Sequence, residues 1–210
     1  MATKNLTIDA FSQALSSAAP TPGGGSAAAL TGSLAASLVC MVSALTIGKK
    51  AYLAVEAEMQ SLLKEATQLR DQLLDHIDTD TEACNQVMTA MKLPQTTDLE
   101  KNERKTKLEA ALKRATEVPY EVAKVCLRVL ALTEIVSQKG NKNAVSDAGA
   151  GALLGESALQ TALLNVDINL VWITDTAFKD DFSKKRTELA QRATLQREAI
   201  LQIVQTRLKG

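Results

Sequence analysis

Apolar residues recur at three- and four-residue intervals through most of the chain, the period of one face of an α-helix. Leu53, Ala57, Leu62, Ala66, Leu69, Leu73 and Ile77 keep that spacing over residues 49–77. Leu108, Ala111, Ala115, Val118, Val122, Val125, Val129 and Leu132 keep it over 103–137, and Leu189, Ala193, Ile200, Ile203, Val204 and Leu208 over 183–208. Helix signals at the ends complete the prediction. Thr7 caps a short helix to residue 16, and a second helix runs from Ser26 to 47. Thr79 or Asp80 opens a further short helix, which ends by Pro94, and 95–103 is a polar loop. Pro119 is expected to kink or split the long helix, and Gly140 to stop it. Another helix starts at Asn143 or Ser146 and runs to Phe178. With no repeat or linker in view, the expectation is an all-α fold. It is a single domain over residues 1–210, an up-and-down or orthogonal bundle.

Residues 10–48 contain no charged side chain, which raises a membrane span as a possibility. Pro20, Pro22 and the triplet Gly23, Gly24, Gly25 cut the run in two. The remainder, 26–47, is long enough to span. It is, however, mostly alanine interspersed with Ser26, Thr31, Ser33, Ser37, Ser43 and Thr46, and no basic cluster precedes it. A central helix rich in small residues and buried on all sides by other helices explains it better.

Composition narrows the class further. Ala (32) and Leu (29) dominate the 210 residues, while Gly is 10, Pro 4 and aromatics 3%. Little is left to build strands from. The 24 basic and 24 acidic side chains balance, so neither nucleic acid nor an anionic membrane is an expected partner. Cys40, Cys84 and Cys126 form neither a disulfide framework nor a zinc spacing, which makes a reducing cytoplasm the expected location. One histidine, His76, supports neither a His-rich metal site nor a Ser-His-Asp triad.

Four segments could carry chemistry. Pro22-Gly23-Gly24-Gly25-Ser26 opens a helix, whose free N–H groups make an anion or carbonyl cradle; the plainer reading is a tight connection capped by Ser26. Asp75, Asp78, Asp80 and Glu82 cluster at an expected helix junction. Like charges there raise one another's proton affinity, as a general acid or base requires, although ordinary capping also explains them. His76 is read as a helix-end residue with no chemical duty. Asp147, Gly151, Ala158, Asn165 and Asn169 share one face of an apolar helix, and Asn143 lies just before it. The amides either pair with a neighbouring helix or line a groove for a flat polar ligand. Lys49 and Lys50 oppose the macrodipole at a helix start, either as a solvated pair or facing an anionic ligand.

In this order the segments resemble the cyclodeaminase/cyclohydrolase family of folate one-carbon enzymes, the C-terminal half of formiminotransferase-cyclodeaminase. The matching residues are Thr21-Pro22-Gly23-Gly24-Gly25-Ser26, Gly48-Lys49-Lys50, Asp78-Thr79-Asp80-Thr81-Glu82-Ala83, Leu93-Pro94, Val118-Pro119, Gly140-Asn141 with Ser146-Asp147, and Asn165-Val166 with Ile168-Asn169-Leu170. The resemblance implies an all-helical homodimer with a folate substrate, with or without a polyglutamate tail, and no cofactor. It implies cyclodeamination of 5-formiminotetrahydrofolate to 5,10-methenyltetrahydrofolate and ammonia, with hydrolysis of the methenyl bridge to 10-formyltetrahydrofolate as the near alternative. A non-catalytic helical dimerisation protein stands as the reading outside enzymes. The implied catalytic residue is Asp80 or Asp78, with Asp80 favoured. Pro22, Gly23, Gly24, Gly25, Ser26, Lys49, Lys50, Asn143, Asp147, Asn165 and Asn169 are the implied substrate contacts. The position of His76 is not a family histidine. With no transferase domain preceding these residues, formimino transfer would fall to a separate protein.

Overall fold

The computed structural model describes residues 2–209, all of whose regular elements are helical. Six α-helices follow in order: α1 Ile8–Leu15, α2 Gly24–Thr46, α3 Glu56–Met91, α4 Asp98–Lys139, α5 Val145–Trp172 and α6 Thr176–Lys209, with short 3₁₀ turns at Thr3–Asn5, Lys50–Val55 and Lys142–Ala144. Helices α2 to α6 alternate in direction, so the bundle is up-and-down. Contacts between Ser26 and Asp80, Glu58 and Lys139, Asn169 and Ala115, and Asp167 and Arg186 fix the four antiparallel pairs.

Helix α2 is central and packs on α3, α4 and α5. Its small residues permit close approach. A Cβ on Gly32 would fall 2.7 Å from the Cys126 sulfur, and Gly151 of α5 lies against the Ala35 carbonyl of α2. By length and apolar content α2 could cross a membrane; here one face is sealed by Ala28, Ala29, Ala35, Ala36, Val39 and Val42. The expectation that α2 is buried on all sides is not met. Leu34, Met41 and Leu45 form an exposed stripe, continued on the adjoining α5 by Leu153, Leu164, Ile168, Val171 and Trp172.

Three expected breaks are absent or displaced. α3 runs unbroken through Thr79 and Asp80. The Thr79 and Thr81 hydroxyls bond back to the Asp75 and Ile77 carbonyls, so they do not cap a new start. Lys49 and Lys50 precede α3 in a 3₁₀ turn and do not open it. α4 likewise continues through Pro119, beginning at Asp98 within the expected loop, where Thr97 and Glu100 form a capping box. The α5–α6 break comes at residues 173–175, earlier than expected. Asp175 accepts the Phe178 amide there, while Glu109 of α4 accepts the Thr174 and Asp175 amides.

Candidate active site

The glycine triplet brings α2 against α3. Gly25 and Ser26 lie in the first turn of α2, where backbone N–H groups have no partner within the helix. Asp80 reaches them from the middle of α3. The buried Ser26 hydroxyl donates to Asp80 Oδ2 at 2.8 Å, and the carboxylate lies against the first turn of α2 at Gly25. The anion in the helix cradle is therefore a side chain of the protein itself. This also accounts for Gly25, since a Cβ there would lie 2.1 Å from Asp80 Oδ1. Burial pushes the Asp80 carboxyl above the usual carboxylate range, while the Ser26 hydrogen bond and His76 pull it back.

Asp80 lines a cavity of about 210 Å³ walled by the start of α2, the C-terminal part of α3, the middle of α4 and the end of α5. Gly23, Gly24, Gly25, Cys84, Asn165 and Asn169 share its wall with Ala115 and Ile168. Asn165 Nδ2 donates to the Thr161 carbonyl at 2.9 Å and Asn169 Nδ2 to the Ala115 carbonyl at 2.7 Å. Each amide spends a donor on the protein. Their Oδ1 acceptors have no protein donor among the described hydrogen bonds, which leaves them for a donor-bearing ligand edge.

Asp78 is separated from Asp80 by its direction on α3. It accepts the Lys4 amide at 3.2 Å, while Lys4 Nζ pairs with Asp75, so both carboxylates anchor the N-terminal turn. The acidic cluster lies inside one continuous helix and not at a helix junction. His76 is likewise inside α3, one turn before Asp80. Its Nδ1 is buried without a hydrogen-bond partner, and burial holds the imidazole below its ordinary pKa. Cys84, one turn after Asp80, lines the cavity with its thiol pushed up by burial. Sequence reasoning set Cys84 aside with the other cysteines, although its place one turn after Asp80 was a signal for it.

The remaining predicted contacts lie elsewhere. Pro22 is buried and does not line the cavity. Asp147 precedes Asn165 on the same helix by about 27 Å at 1.5 Å per residue. The length of α2 sets the exposed Lys49 and Lys50 about 35 Å from Gly24. Asn143, also exposed, lies beside them, since Asn141 bonds to Leu45 and Thr46 at the far end of α2. One chain thus collects the glycine loop, Ser26, Asp80, Asn165 and Asn169 at one end of the bundle. Lys49, Lys50, Asn143 and Asp147 lie at the other.

Comparison with known proteins bears on this arrangement. The family profile described as formiminotransferase-cyclodeaminase matches residues 7–188. A methenyltetrahydrofolate cyclohydrolase of Methylorubrum extorquens is 44% identical, over 97% of this chain and 98% of that protein. The formimidoyltransferase-cyclodeaminase of Gallus gallus is 34% identical over 95% of this chain, which spans only 37% of that longer protein. The crystal structure of a formiminotetrahydrofolate cyclodeaminase from Thermotoga maritima superposes with a TM-score of 0.88, at 29% identity, over 97% of this chain and 98% of that one.

Proposed function

As the chain belongs to the formiminotransferase-cyclodeaminase family, we propose that it makes or opens the one-carbon bridge between N5 and N10 of tetrahydrofolate, with Asp80 as the proton shuttle. The observation that carries this reading is a half-buried carboxylate of raised proton affinity, held by Ser26 in the wall of a cavity that Asn165 and Asn169 also line. In cyclodeamination N10 attacks the carbon of the protonated, cationic formimino group, whose nitrogen becomes a neutral amino group, and N10 loses its proton to the Asp80 carboxylate. Asp80 returns that proton to the amino group on the tetrahedral carbon, the C–N bond breaks, and ammonia leaves the methenyl cation. The negative charge of Asp80 also stabilises that delocalised cation. The Asn165 and Asn169 oxygens suit the donor edge of a pterin.

A second reading, hydrolysis of the methenyl bridge, is favoured by the cyclohydrolase relative at 44% identity. Here Asp80 takes a proton from the attacking water, a proton is delivered to N5 as the C–N5 bond breaks, and one proton is released overall. The tetrahedral carbon bears hydroxyl instead of amino, so the same carboxylate serves either reaction. Assaying the purified chain with each substrate, following the absorbance of the methenyl bridge, separates them. Growth of the bridge from the formimino compound supports the first reading; turnover of the methenyl compound alone overturns it for the second. If neither substrate reacts, the folate reading falls.

The active unit we propose is a homodimer joined through α2 and α5. The cavity is smaller than the roughly 300–1,000 Å³ that encloses a drug-sized ligand. Beside it runs the apolar stripe of α2 and α5. Pairing two such stripes about a two-fold axis near Leu34 sets the α2 helices antiparallel. The partner subunit's Lys49 and Lys50 then flank the glycine loop, and the two groups of predicted contacts meet across the interface.

A further inference from the structure

Pro119 lies in the interior of α4, where a proline costs helix stability and is seldom kept without a reason. It has no N–H to give the carbonyl four residues earlier, that of Ala115, and its ring crowds that oxygen away from the helix axis. The Ala115 carbonyl lies at the cavity wall and receives the Asn169 side-chain amide at 2.7 Å. A buried carbonyl must find a donor, and Asn169 supplies the one that Pro119 withholds. The pairing reaches across 54 residues of sequence from α5 to α4. It fixes which way the amide points: Nδ2 is committed to α4, and Oδ1 is left for the cavity.

We propose that Pro119 is a positioning residue for ligand recognition, holding open the Ala115 carbonyl so that Asn169 presents its amide oxygen to the cavity. This rests on the reading of the cavity as the folate site. The device fits a ligand edge that donates hydrogen bonds. An alanine at 119 would restore the helix bond to Ala115, draw that carbonyl back toward the axis and free Asn169 to flip or turn.

The test is Pro119→Ala, measured in two ways. The first needs no substrate: NMR of the side-chain amides, with the Asn169 pair identified by its loss in Asn169→Ser. In the parent chain one Asn169 amide proton should exchange slowly and resonate downfield; in Pro119→Ala the protection should be lost. Unchanged protection overturns the proposal. The second uses the folate substrate that turns over. KM should rise about three- to tenfold, the worth of one neutral hydrogen bond, with kcat nearly kept, while the melting temperature rises because a helix proline is gone. A raised melting temperature with unchanged KM makes Pro119 merely tolerated and overturns the proposal. Lost protection in a chain that turns over neither substrate leaves the positioning intact and sinks the folate reading alone.

Discussion

Ser26 holds Asp80 through its hydroxyl at 2.8 Å, so the first turn of α2 is the anion site for the proposed catalytic base. That bond favours the charged carboxylate, and burial opposes it. Ser26→Ala removes it and raises the proton affinity of Asp80 further. The acid limb of the pH–rate profile should move to higher pH, and kcat/KM should fall roughly 10- to 100-fold, as for a hydrogen bond to a charged group. Ser43→Ala is the matched control. The Ser43 hydroxyl is buried with no partner, so its loss should leave activity unchanged and stability equal or higher. An unmoved acid limb in Ser26→Ala would remove Ser26 from the site chemistry.

The three glycines are not equivalent. At Gly25 a Cβ meets Asp80 Oδ1 at 2.1 Å; at Gly24 it meets Asn165 Nδ2 at 3.2 Å; at Gly23 it meets only the Pro20 carbonyl at 3.6 Å. Gly25→Ala should displace the carboxylate and lower kcat by about 100-fold or more with the helical fold intact, given what a general base contributes. Gly24→Ala should act more weakly, through Asn165. Gly23→Ala should approach parent activity, because its φ of −127° suits any residue. Kinetics and circular dichroism on the three variants test the order, and equal losses at all three would contradict it.

The helical class was legible in the sequence, with the up-and-down bundle as one of the two arrangements it allowed. Apolar period and helix composition determine that class locally. The continuity of α3 was not. Thr79, Asp80 and Thr81 look like caps in isolation, and only tertiary structure shows two hydroxyls folded back on their own helix and the carboxylate taken by Ser26. The same error placed His76 at a helix end. The distance between Asn165 and Lys49 was equally invisible, because motif order along a chain carries no information about which end of a bundle each motif reaches.

Asp80→Asn separates chemistry from stability. Activity should fall by about 10² to 10⁴, the usual worth of a general acid–base. Stability should move the other way. The folded-state proton affinity of Asp80 is raised, so its contribution to stability is complete below the ordinary carboxylate pKa and is lost as pH rises through the folded value. Asparagine cannot ionise and escapes that loss. Thermal melts should show the variant ahead of the parent chain at pH 7, with the gap closing toward pH 4. A variant less stable at pH 7 would mean that the charged carboxylate, not the neutral one, is what the fold prefers.

The dimer can be tested by breaking it and by sharing it. Leu34 is 51% exposed at the middle of the α2 stripe, where a two-fold axis would bring it against its own copy. Leu34→Glu should yield a helical monomer by light scattering, since a buried pair of like charges cannot be accommodated there. Sharing is the sharper test. Asp80→Asn leaves both lysines, and a Lys49→Ala, Lys50→Ala chain leaves Asp80. If each site takes Asp80 from one subunit and the lysines from the other, a mixed dimer holds one intact site of two. Unfolding and refolding equal amounts of the two inactive chains together should then recover about a quarter of parent activity, because half of the dimers are mixed. A Lys49→Ala, Lys50→Ala chain that is dimeric and active by itself would leave both lysines outside the site, and two inactive chains that refold as mixed dimers yet regain no activity would overturn the sharing of sites between subunits.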